Sequence, residues 1–178
     1  GGTMGSNTQA SAVNVGTGVT LTSTTGVNLG GANGQGALAG NLNINGGTAV
    51  LAAASFLDGS DSGITLSGGG TLTMGGDITG TSGTLTLGEG TLNSSAAWTT
   101  SVGVALNAAS GKTATVDTTG GDITLNGAFT GSGNLLKTGT GTLSIGAASA
   151  GYTGTVTLAS GTLSFQDTAD DYKARLNI

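Results

Sequence analysis

The sequence predicts an all-β fold, a parallel β-helix or β-solenoid, and three features carry that expectation. Apolar and small polar residues alternate in short triplets, Val13-Asn14-Val15 and Leu72-Thr73-Met74 among them, which is the period of a strand with one buried face. Gly-rich connections separate the triplets, with 37 Gly and no Pro in 178 residues. Residues 76–92 align without gaps to residues 127–143, an offset of 51 with eight identities in 17 positions, as stacked repeats should.

Taken in order, the strands open with Val13-Asn14-Val15, Val19-Thr20-Leu21, Val27-Asn28-Leu29 and Leu42-Asn43-Ile44. They continue through Ile64-Thr65-Leu66, Leu72-Thr73-Met74, Leu85-Thr86-Leu87 and Ile123-Thr124-Leu125, and close with Leu143-Ser144-Ile145, Val156-Thr157-Leu158 and Leu163-Ser164-Phe165. Each points Leu, Val or Ile inward and Thr, Ser or Asn outward, and β-branched Thr suits the outer position. Connections such as Ser67-Gly68-Gly69-Gly70 and Thr138-Gly139-Thr140-Gly141 supply the positive φ that a sharp corner needs. Sandwiches and barrels use longer strands, whereas a coil laid on its predecessor needs only a few inward residues per strand. At about 20 residues a coil, eight or nine coils stacked at about 4.8 Å make a rod on the order of 40 Å long. Two segments break the alternation. Residues 49–57 (AVLAAASFL) form a continuous apolar run, and residues 94–110 hold the single Trp, Trp98, among Ala and Ser. Both are expected as buried strand or cover, with a partner-binding patch as the alternative.

Composition bounds the chemistry. Leu, Ile, Val and Phe total 37 residues, near the lower limit for a packed core. Disorder is nevertheless not expected, because the chain is mildly hydrophobic (mean hydropathy +0.19), only 7% charged and free of Pro. Gly follows no three-residue period, which excludes collagen. With no His and no Cys, the chain cannot form Ser-His-Asp or Cys-His nucleophilic arrangements, the usual zinc, copper, haem and iron–sulfur ligand sets, or disulfides. Four Lys plus Arg against nine Asp plus Glu give a net charge of −5, so nucleic acid is not an expected partner. No apolar run approaches the roughly 18–20 residues that span a bilayer. The opening GGTMGSNTQA lacks the charged start and apolar stretch of a secretory signal, so any export signal is expected to have been removed or to lie outside the chain. Residues 1–6 carry no structural weight in this reading.

In the C-terminal third, Leu135-Leu136-Lys137-Thr138-Gly139-Thr140-Gly141-Thr142-Leu143-Ser144-Ile145 leads to Tyr152-Thr153-Gly154-Thr155-Val156-Thr157-Leu158 and then Gly161-Thr162-Leu163. This stretch, residues 135–163, resembles the autotransporter passenger-associated β-strand repeat, in which Leu-x-Lys-x-Gly-x-Gly-Thr-Leu runs through Tyr-Thr-Gly to a second Gly-Thr-Leu. The resemblance implies a right-handed parallel β-helix on the outside of a bacterial cell, where such passengers serve as adhesins, surface fibres or carriers of other modules. Those passengers normally continue into a translocator barrel. Nothing after Leu163 resembles one, so a released fragment or another export route is expected.

Carboxylates are the only abundant acid–base groups. Asp58 and Asp61 flank Gly59-Ser60 with too few oxygens for calcium and no group to perturb them, so both read as a solvated turn. Asp77 and Asp122 each sit in Gly-Asp-Ile-Thr, which predicts equivalent corners capped by the side-chain oxygen. Tyr152 reads as structural rather than as a sugar platform. Thr71/Thr73, Thr84/Thr86, Thr113/Thr115 and Thr155/Thr157 raise an outward ice-binding array, but the intervals between successive pairs grow along the chain, too irregular for one flat face. The tail differs in kind. Asp167, Asp170, Asp171, Lys173 and Arg175 crowd five of the chain's 13 charges into the stretch 167–178, with Tyr172 among them and Leu176-Asn177-Ile178 at the end. These residues serve either as a polar cap on the solenoid or as a strand that docks head to tail on a neighbouring copy and builds a filament.

The chain is therefore expected to comprise a solenoid over residues 1–166 and a charged tail over residues 167–178. The expected function is a non-enzymatic, extracellular or cell-surface structural protein: a bacterial fibre or filament subunit that spans no membrane, needs no cofactor or metal, and partners with copies of itself. An adhesin passenger or stalk that binds a cell-surface glycan or protein is the alternative. An ice-binding protein and a polysaccharide-active enzyme are minor ones.

Overall fold

A computed structural model describes residues 11–32, 37–56, 62–80, 82–146, 151–166 and 176–177. Among these the chain is all strand and corner. Strands β1 (Ser11–Gly16), β2 (Thr20–Ser23) and β3 (Val27–Leu29) form a first coil, each in a different sheet. A small antiparallel hairpin, β4 (Gly31–Ala32) with β5 (Ala37–Leu38), leaves the next corner. Then β6 (Gly40–Asn45), β7 (Thr48–Leu51) and β8 (Ala54–Phe56) lie parallel on the first coil.

The same cycle gives β9 (Gly63–Ser67), β10 (Gly70–Met74) and β11 (Ile78–Thr79), followed by β12 (Thr84–Leu87), β13 (Gly90–Ser94) and β14 (Trp98–Thr100). It continues with β15 (Gly103–Leu106), β16 (Thr113–Asp117) and β17 (Ile123–Leu125), then β18 (Phe129–Gly131), β19 (Asn134–Thr138) and β20 (Thr142–Ile145). Strands β21 (Val156–Leu158), β22 (Thr162–Phe165) and β23 (Leu176–Asn177) extend the stack. Three parallel sheets result: a first face of six strands (β1-β6-β9-β12-β15-β18), a second of eight (β2-β7-β10-β13-β16-β19-β21-β23) and a third of seven (β3-β8-β11-β14-β17-β20-β22). Between β1 and β18 the chain passes round the axis five times, so the fold is a β-solenoid of about five turns.

Alternation places the core. On the first face Val13, Leu42, Ile64, Leu85, Val104 and Phe129 stack in one inward column through the strand register. Leu21, Ala49, Leu72, Leu92 and Val116 do so on the second face. On the third, the column runs Val27, Ala54, Ile78, Thr100, Leu125, Ile145 and Phe165. Each fully buried aliphatic contributes about 1.5–3 kcal/mol, which is how modest apolar content suffices when nearly every large apolar side chain points to one axis. The apolar run at 49–57 is two strands around a corner. Ala49, Leu51, Ala54 and Phe56 are buried and Val50 faces out, while Leu57 lies outside the described residues. Trp98 is buried in β14, inside the core.

The internal repeat has a different meaning from the one its alignment suggests. Ile78 lies on the third face and its aligned counterpart, Phe129, on the first; Leu92 lies on the second and Leu143 on the third. The repeat is a strand–corner–strand unit carried on to the next face, not a coil superposed on a later coil. Corners leading to all three faces reuse the same chemistry, a Gly to turn, an outward Thr and an inward Leu, so one phrase can serve on any of them. Coil length varies too. Leu85 pairs with Val104 across a short coil, whereas the coil that brings Val13 opposite Leu42 is longer and holds the β4–β5 hairpin.

Candidate functional site

Of the tail residues, Asp167, Asp170, Asp171, Tyr172, Lys173, Arg175 and Ile178 lie outside the described residues, as do Asp58 and Asp61. Leu176 is described. It opens β23, which pairs in parallel with β21 of the same chain, Leu176 opposite Val156 and Asn177 opposite Thr157. The final strand thus extends its own chain's second sheet in this arrangement.

Asp77 and Asp122 occupy equivalent corners, each just before a third-face strand. Their carboxylates reach along the rod instead of capping their own turns. Asp77 Oδ1 accepts from the Thr99 amide at 2.8 Å and Asp122 Oδ1 from the Thr142 amide at 2.7 Å, in both cases a donor in the next coil. They are couplings between coils, at the solvent-facing surface of the rod.

The family-like segment supplies the most specific interior chemistry. Lys137 follows Val116 in the second-face column and precedes Leu158, and its side chain is fully buried. Its ammonium donates to Thr138 O at 2.8 Å, Gly139 O at 3.1 Å and Ser160 O at 3.1 Å, using all three protons on backbone carbonyls of two stacked corners. Burial pulls its pKa below the ordinary value, while the charges of Asp117 and Asp122 pull it up. Gly161, at φ 76°, closes this cage: a Cβ there would stand 2.8 Å from Nζ. Tyr152 is likewise interior. Its hydroxyl lies 3.0 Å from both Gly133 O and Thr155 O, and its ring tilts against Phe129 with centroids 5.0 Å apart. The Lys and Tyr of the motif are therefore internal fasteners.

Among the described residues, the partly buried apolar residues packed on the core are Val13, Leu21 and Val27 in the first coil described and Leu163 and Phe165 in β22.

The outer face of the second sheet carries a Thr row that the four pairs named from the sequence do not reveal. Thr20, Thr48, Thr71, Thr91 and Thr115 are register neighbours in five successive strands, a single outward row along the rod. The row beside it runs Thr22, Val50, Thr73, Asn93 and Asp117. Thr71/Thr73, Thr113/Thr115 and the Thr157 of the last pair lie on this sheet, and Thr84/Thr86 on the first. Unequal coils absorb the irregular spacing at corners, leaving the strands in register. The row was hidden because its Gly-Thr-apolar signature (Gly47-Thr48-Ala49, Gly70-Thr71-Leu72, Gly90-Thr91-Leu92) also opens strands of the other faces, as at Gly141-Thr142-Leu143.

Concavities are shallow. One groove of about 330 Å³ lies between residues 108–112 and 132–134, where the Lys112 ammonium pairs with Glu89 at 3.1 Å. Another of about 310 Å³ is bounded by Thr113, Asn134, Leu136, Thr155 and Thr157. A third of about 210 Å³ runs along Asp77, Thr99 and Asn126. Among the described residues no three His, Cys, Asp or Glu gather as a metal site, and no helix is long and apolar enough to cross a membrane. Neither a family model, nor a curated protein, nor a solved structure matches the chain, so its fold and surfaces are what speak for its role.

Proposed function

We propose that the chain is a non-enzymatic structural protein, the β-solenoid subunit of an extracellular or cell-surface bacterial fibre that assembles head to tail. The observation that carries this reading is that three parallel sheets pair strand on strand in register around one apolar core, a mode of pairing that a further copy can continue. Unpaired sheet edges favour further strands. Stacking one copy on another continues the parallel pairing, and a heterologous contact of that kind does not close, so it propagates. The low charge of the chain leaves little repulsion against such stacking.

The resemblance of residues 135–163 to the passenger-associated repeat supports the cell-surface setting and a right-handed coil. Negative-stain electron microscopy tests the reading: uniform fibres of solenoid width are expected, and dispersed single rods at every concentration would sink it. Removal of residues 167–178 takes away β23 and tests the tail as the joining element, with fibres of unchanged length counting against that role. An adhesin stalk is the second reading, favoured by the inward fastening of Lys137 and Tyr152 that leaves the outer faces for a ligand; monomeric rods that bind a cell-surface glycan or protein are its signature.

A further inference from the structure

We propose that the outer face of the second sheet is an ice-binding surface whose ligand is the ordered water of an ice plane, an activity independent of fibre assembly. The face is a two-dimensional grid. Along the rod Thr20, Thr48, Thr71, Thr91 and Thr115 follow one another by strand register, at the ~4.8 Å separation of neighbouring strands. Across it, Thr22, Val50 and Thr73 sit two positions further along each strand, about 6.6 Å away. Water oxygens on the prism planes of ice likewise repeat along two perpendicular directions, one shorter and one longer.

The chemistry of the grid fits that ligand and poorly fits others. From the first coil through Thr91 and Asn93 the two rows hold only Thr, Val and Asn, so no charge holds a liquid hydration shell over them. Each Thr offers a hydroxyl and a methyl on a stiff β-branched stem, and the backbone holds it still, so ordering water on the row costs little side-chain entropy. Val50 contributes a methyl pair at 36% exposure inside the grid.

The hydroxyls are also uncommitted. Among the described residues no side-chain hydrogen bond joins Thr20, Thr22, Thr48, Thr71, Thr73, Thr91 or Thr115 to another protein group. On the other two faces some outer polar groups are spent on one another: Asn43 Nδ2 donates to Asn14 Oδ1 at 2.9 Å, Ser55 Oγ and Thr79 Oγ1 hydrogen-bond at 2.7 Å with either as donor, and Asn126 Nδ2 donates to Thr99 Oγ1 at 3.3 Å. The second face thus adds to neutrality and unspent donors the longest run of Thr in register, five strands against the two of Thr65 and Thr86 on the first face. Without aromatic residues in either row, a sugar has nothing to stack on.

Ice-affinity partitioning and nanolitre osmometry of the full chain test the proposal. The wild type should enter a slowly growing ice front and facet the crystals. Thr71→Lys, at the centre of the row, should lose both properties, while Thr86→Lys on the first face should keep both, with circular dichroism melts establishing that each variant is folded. Thr91→Tyr, bulky and uncharged, repeats the central test should T71K fail to fold. Exclusion of the wild type from ice overturns the proposal, and so does equal damage from T86K. Wild type that is dimeric and ice-inactive, with T71K monomeric, makes the face a contact between copies and also overturns it. None of these outcomes bears on fibres seen by microscopy, so the two readings fail separately.

Discussion

Replacing Lys137 by Met removes an ammonium and keeps a side chain of similar length in the column between Val116 and Leu158. Three carbonyls lose a charge-assisted donor. Thr138 O keeps the Thr118 amide at 3.1 Å and Gly139 O keeps Ser160 Oγ at 3.3 Å, so these two lose about 0.5–1.5 kcal/mol each. Ser160 O is left without its Lys137 partner at 3.1 Å, worth about 1–3 kcal/mol. Burying the thioether in the column returns about 1.5–3 kcal/mol, and no charge need be desolvated. The net expectation is a local loss of about 2 kcal/mol, roughly a 30-fold rise in opening. Amide hydrogen exchange at Ala159 and Thr162, whose amides bond Lys137 O at 2.9 Å and Gly141 O at 3.2 Å, reads it directly. Exchange there as slow as wild type or slower refutes the fastening role.

The titration of the same amine has a definite sign. Burial lowers its folded pKa below 10.5, against the opposing pull of Asp117 and Asp122. Between the folded value and 10.5 the unfolded chain binds more protons, so stability rises with pH across that window and is lost as pH falls through the folded value. The difference between wild type and K137M isolates this slope from every group the two chains share.

Asp77→Ala and Asp122→Ala should each cost about 1 kcal/mol, with faster exchange confined to the Thr99 and Thr142 amides they bind. Trp98→Phe removes a buried indole N–H that has no hydrogen-bond partner among the described residues, so its unfolding free energy by chemical denaturation should stay within about 1.5 kcal/mol of wild type, whereas Trp98→Ala should lose about 3–5 kcal/mol to its cavity. Before any mutation, emission from this single Trp should be blue-shifted and should move red on unfolding.

The strands were legible because alternation is a local signal. Each of the eleven triplets read from the sequence overlaps a strand, and the one misplaced residue is Val19, which lies 50% exposed in the turn before β2. Strands such as β14 and β18 escaped because Trp98-Thr99-Thr100 and Phe129-Thr130-Gly131 put a polar or glycine residue at an inward or closing position. Thr100 is buried there and accepts the Val102 amide at 3.2 Å, a local bond that no periodicity announces. Which strand lies above which was not legible, since coils of unequal length hide the register and the three corners share one vocabulary. The Thr row followed register and stayed hidden; the equivalent corners of Asp77 and Asp122 followed a local motif and were foreseen, whereas their bonds to the next coil, in place of caps on their own turns, were not.

Because every parallel pairing joins a strand to one a single coil away, tension applied to the two chain ends meets the coils in series. Force therefore unspools the protein one winding at a time. Each release frees one coil, a step of roughly 65–100 Å of contour at ~3.4 Å per residue, and because the coils are unequal the step size reads out which of them let go. The winding fastened by Lys137 should hold longest among its neighbours, making it a ratchet point where unspooling pauses and from which rewinding can begin.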